Sequence, residues 1–78
     1  MTRSLAALLE DALKEAAGAD AAPVSLTVDY GAGAGEGLVL RGWIERATRS
    51  LVFAQAEART PAGALAGSAS GVFRRVNV

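Results

Sequence analysis

Residues 2–30 read TRSLAALLEDALKEAAGADAAPVSLTVDY, and within them the hydrophobic period changes once, from that of a helix to that of a strand. Leu5, Leu8, Leu9, Ala12, Leu13 and Ala16 fall at i, i+3, i+4, i+7, i+8 and i+11, which lines one face of a helix. This predicts a helix over about 2–17. Thr2 or Ser4 can cap its start, Glu10 and Lys14 have the favourable i, i+4 order, and Gly18 can stop it. Asp20 to Pro23 read as a loop. From Val24 the pattern alternates strictly: Val24, Leu26, Val28 and Tyr30 share one face of a strand, and Ser25, Thr27 and Asp29 the other.

Downstream the chain reads as strands alone. They are expected at about 24–30, 38–46, 51–59 and 64–76. In the third, Val52, Ala54, Ala56 and Ala58 form a small apolar face, while Leu51, Phe53, Gln55, Glu57 and Arg59 form a mixed one. Ala47 to Ser50 fit a short hairpin turn. Thr60-Pro61-Ala62-Gly63 fits a β-turn with Pro at its second position and Gly at its fourth. Gly31-Ala32-Gly33-Ala34-Gly35-Glu36-Gly37 matches neither dinucleotide nor P-loop spacing, and a strand follows it where a phosphate site needs a helix, so it reads as a flexible connection. One helix followed by four strands predicts a single α+β domain over 1–78, the helix packed on a four-stranded antiparallel sheet.

At 78 residues the core is small, and chains of this size draw on disulfides, metals or partner subunits for stability. The chain has no Cys and no His, which excludes disulfides and leaves no zinc or haem site. Self-association is the expected route. Acidic and basic residues balance at eight each, which argues against a nucleic-acid surface. Glu10, Asp11, Lys14 and Glu15 interrupt the N-terminal apolar run, and no stretch reaches the roughly 20 apolar residues of a membrane span. A cytoplasmic protein is the expectation.

Three stretches carry a resemblance to a known family: the helix Leu8-Leu9-Glu10-Asp11-Ala12-Leu13, the strand Val24–Tyr30 directly after it, and the hairpin from Glu45 to Arg59 with the following run Thr60–Arg74. The last is the most specific, with its rhythm of small residues ending at Phe73-Arg74. Together they resemble the hotdog-fold thioesterases of the PaaI type, acting on acyl-CoA. The likeness spans nearly the whole chain and is that of an N-terminally truncated member, without the leading strands and with Met1-Thr2-Arg3-Ser4 in place of the HGG motif. A start placed too late in the gene would give the same pattern. The resemblance implies a hotdog-like sheet with Val24–Tyr30 at one edge, pairing with its twin across a homodimer axis, and Leu38–Arg46 at the other.

The resemblance also implies site residues. Asp11 stands where the family has its helix carboxylate, the nucleophile or general base on the thioester; partial burial at a dimer seam would raise its pKa. Glu10 and Glu15 are weaker stand-ins. Thr2, Arg3 and Ser4 occupy the place of the oxyanion-binding backbone. Arg46, Thr48 and Arg49, with Arg59, Arg74 and Arg75 beyond them, are the candidates for coenzyme A phosphates. Trp43 reads as a core or interface anchor. No cofactor and no metal are expected. The functional expectation is an acyl-CoA thioesterase-like protein with weakened or lost hydrolase activity. The alternative is a non-catalytic hotdog module that binds acyl-CoA or serves dimerisation. An unrelated small α+β oligomer, such as a flavin-storage protein, is the reading from outside the family.

Overall fold

Ser4 starts the helix. In the computed structural model, which describes residues 4–31 and 37–76, its side chain accepts a hydrogen bond from the Ala7 N–H at 3.1 Å, satisfying one of the donors a helix start leaves open. Helix α1 runs Leu5–Ala17 and closes at Gly18, whose N–H donates to the Lys14 carbonyl and whose φ of 103° suits glycine. Glu10 and Lys14 approach to 3.6 Å along its exposed side. Thr2 and Arg3 of the expected site, and residues 32–36 of the glycine-rich connection, lie outside the described residues.

The strands are β1 (Ala21–Tyr30), β2 (Val39–Ala47), β3 (Leu51–Arg59) and β4 (Leu65–Arg75). All pairings are antiparallel, and the order across the sheet is β1-β4-β3-β2. The expected α+β layer, one helix on a four-stranded antiparallel sheet, is therefore present. Both edges fall where expected, with β1 at one side and β2 at the other.

Two details of the sequence reading change. The loop expected at residues 20–23 is mostly strand, since β1 begins at Ala21 and contains Pro23. Proline is tolerated there because β1 is an edge and its register shifts between Pro23 and Ser25. The apolar row expected on β1 is also only half used: Leu26 and Val28 pack on the core, while Val24 and Tyr30 are 61% and 71% exposed. Val24 falls at the register shift between Pro23 and Ser25, and Tyr30 is the last residue of the edge strand.

The core lies between α1 and the central strands. Leu9, Leu13, Val52 and Phe73 are fully buried, each contributing about 1.5–3 kcal/mol of transfer free energy. The alternation on β3 is as expected: Val52, Ala54, Ala56 and Ala58 are buried beneath the helix. Opposite them in register stand Phe73, Gly71, Ala69 and Gly67. These small residues let α1 sit close to the sheet. A methyl added at Gly67 would come within 2.8 Å of Leu5 Cδ2, and one at Gly71 within 3.4 Å of Leu13 Cδ1. From Leu5 to Leu13 a helix advances about 12 Å, and from Gly67 to Gly71 a strand advances about 13 Å, so α1 runs along β4 in the same sense. The helix start therefore lies at the Tyr30–Gly67 end of the sheet. The β2–β3 turn lies at the opposite end, beside Arg74.

Candidate functional site

The side of α1 that faces β2 carries the candidate site. Gly42, at the middle of β2, brings strand and helix backbones together: a Cβ there would stand 2.5 Å from the Ala12 carbonyl oxygen and 3.4 Å from the Ala16 Cβ. On the sequence alone Gly42 reads only as a weak point in a strand. Its role is to admit the helix, and the small pair Ala12 and Ala16, spaced i, i+4, is the signal for that contact.

Along this contact runs an open groove of about 340 Å³, lined by Leu8, Asp11, Ala12, Glu15, Ala16, Leu40 and Gly42. Asp11 is half-buried and Glu15 exposed. The two carboxylates are i, i+4 neighbours and so line one wall, above an apolar wall supplied by Leu8 and Leu40. Glu10 is not among the lining residues and pairs instead with Lys14. The groove thus mixes two carboxylate-bearing residues with apolar ones along the line where helix and edge strand meet. Among the described residues no group of three His, Cys, Asp or Glu side chains could hold a metal ion. No described helix is long and apolar enough to cross a membrane.

The other expected site residues lie elsewhere. Ser4 is engaged as the helix cap, and Asp11 lies seven positions further along the helix, about 10 Å away. Arg46, Thr48 and Arg49 are exposed at the far end of the sheet, roughly 20 Å from the helix start by the strand rise. Within that turn the Thr48 hydroxyl accepts from the Leu51 N–H at 3.0 Å, and Arg75 Nε donates to the Thr48 carbonyl at 3.4 Å. Arg46 also leans over the Phe53 ring, 6.0 Å from its centroid. Arg59 is held by Glu57 at 3.1 Å and by the Gly63 carbonyl at 3.0 Å. One chain thus does not gather the helix start, Asp11 and the Arg46–Arg49 turn into a single pocket. The Asp11 groove also opens toward β2, across the sheet from the β1 edge.

Trp43 lies on the face of the sheet away from the helix. Its indole donates to Glu45 at 3.0 Å, and the Arg41 guanidinium stacks 4.7 Å from its centroid.

Compared with family models, with curated proteins and with solved structures, the chain matches none.

Proposed function

We propose that this chain is a hotdog-like, acyl-CoA thioesterase-like protein in which the groove between α1 and β2 takes the acyl thioester and Asp11 is the working carboxylate. The observation that carries the reading is the groove itself: about 340 Å³, with Asp11 on its wall beside Leu8 and Leu40. The strand order β1-β4-β3-β2, with the post-helix strand at an edge, supports the hotdog part of it. As general base, Asp11 takes a proton from water. The resulting hydroxide adds to the thioester carbonyl, and the coenzyme A thiolate leaves and accepts the proton. Backbone N–H groups at a helix start are the oxyanion donors in this scheme. Ser4 lies about 10 Å along the helix from Asp11, and the proposed homodimer, whose sheet continues through the β1 edge, puts the partner on the side of the sheet away from the groove.

The distance between these parts favours a second reading, a non-catalytic module that binds acyl-CoA or only dimerises. Both readings place the protein in the cytoplasm. The test is release of free thiol from short, long and aromatic acyl-CoAs, with Asp11→Asn alongside. The chain has no Cys, so a thiol-reactive dye reports product alone. Turnover abolished by Asp11→Asn supports the enzyme. Turnover that persists in the variant removes Asp11 from the chemistry, and no turnover with retained acyl-CoA binding supports the second reading.

A further inference from the structure

α1 covers one face of the sheet and leaves the other open, and the open face is uneven in a regular way. Its β2–β3 half is raised by Trp43 and Phe53. Its β1–β4 half carries Ser25, Thr27, Ser68 and Ser70, and a depression of about 260 Å³ lies there between Thr27 and Phe53, floored by Ser70. Charge is divided in the same way: Arg41 stands on β2, and Asp29 on β1 at the same level, joined across the sheet through Glu57 and Ser68. Arg41 stands 3.9 Å from Glu57 and stacks on Trp43, with its side chain 70% exposed.

We infer that this open face is a docking surface for a second copy of the chain, the two sheets packing face to face. A two-fold axis parallel to the strands, midway between β3 and β4, lays β2 over the partner's β1 and β3 over its β4. Each raised half then meets a low half. Trp43 enters beside the partner's Thr27, Phe53 meets the partner's Val72, and Arg41 meets the partner's Asp29, each contact occurring twice as an isologous interface requires. No like charges are brought together by this operation on the central rows. Packed sheets stand roughly 10 Å apart, which two layers of these side chains fill. Four strands at about 4.8 Å spacing and eight residues at about 3.3 Å rise give a footprint of about 500 Å² per copy, about 1,000 Å² in all, at the threshold for a specific interface. The surface is separate from the β1 edge and from the Asp11 groove, so it stands whether or not thioesters are hydrolysed.

Sedimentation velocity on the full chain, from 1 to 200 µM, tests this, with circular dichroism to check folding. The expected result is a concentration-dependent doubling of mass in the wild type, weakened at least tenfold by Ser70→Lys, which fills the depression from an open-face position. Asp29→Arg and Arg41→Asp each weaken the association, and the two together restore it to within about threefold of wild type. Trp43 is the chain's one tryptophan, so its emission should shift to the red on dilution through the same range. A wild type that stays at one mass throughout overturns the inference. So does an association that Ser70→Lys leaves unchanged, which would place the contact at the β1 edge, and so does a charge-swapped double variant no better than its singles.

Discussion

Gly42→Ala should destabilise the fold although Gly42 is exposed and lies in an edge strand. Sequence position alone gives the opposite sign: replacing glycine with alanine in an extended segment lowers the entropy of the unfolded chain and stabilises by about 0.4–1 kcal/mol. The structure supplies the opposing effect. The new Cβ would stand 2.5 Å from the Ala12 carbonyl oxygen and 3.1 Å from its carbon. Both are helix backbone, which cannot rotate aside as a side-chain tip can. α1 must retreat from β2 by several tenths of an ångström, loosening its contact with Leu40 and the wall of the Asp11 groove. Overpacking of this kind costs about 1–3 kcal/mol, so the net loss should be about 1–2 kcal/mol. With a urea m-value of about 1 kcal/mol/M for a chain of this size, the midpoint should fall by about 1–2 M. The assay is urea unfolding followed by circular dichroism at one fixed protein concentration, because association would otherwise shift the midpoint. Gly67→Ala is the comparison: its closest obstacle is the tip of Leu5, at 2.8 Å, and it should lose less. A Gly42→Ala variant as stable as wild type, or more so, would refute the close helix–strand contact on which the groove is built.

Other expected outcomes follow from the same packing. Ser4→Ala removes the acceptor for the Ala7 N–H and should lower stability by about 1 kcal/mol, read as a urea midpoint shift with no change in m-value. Phe73→Ala empties the largest fully buried side chain and should cost about 3–5 kcal/mol; against the few kcal/mol available to a core this small, the variant should be largely unfolded by circular dichroism at 25 °C.

Much of the architecture was legible along the chain because the residues that define it act locally. The stripe from Leu5 to Ala16 has one period and a capping Ser4, and α1 forms there. The alternation on β3 has its small residues at every second position, and its bounds, Leu51–Arg59, are those expected. Thr60 to Gly63 carry the Pro and Gly of a tight turn, and the Gly63 N–H closes it on the Thr60 carbonyl at 2.9 Å. The sequence misled where a tertiary neighbour overrides local preference. Pro23 reads as a loop residue, yet it sits within β1 because an edge strand has one side with no ladder to break.

For the site, composition alone showed that the chain has no thiol and no imidazole, and the family resemblance singled out Asp11 and the basic turn from Arg46 to Arg49. The two edge strands were expected from the family resemblance and not from periodicity, since alternation shows which face a residue takes and not which strand lies beside it. That Asp11 and Glu15, and not Glu10, line the groove follows from the packing of α1 on the sheet. The tertiary structure also decided that Gly42 is where helix and strand backbones meet, and that the Arg46–Arg49 turn stands at the far end of the sheet from the helix start. The physical reason is that these are relations between segments distant in sequence. They depend on the crossing of α1 over the sheet, which is set by how closely the helix backbone approaches Gly42 and how its leucines seat over Gly67 and Gly71, and no local pattern of the chain encodes that distance.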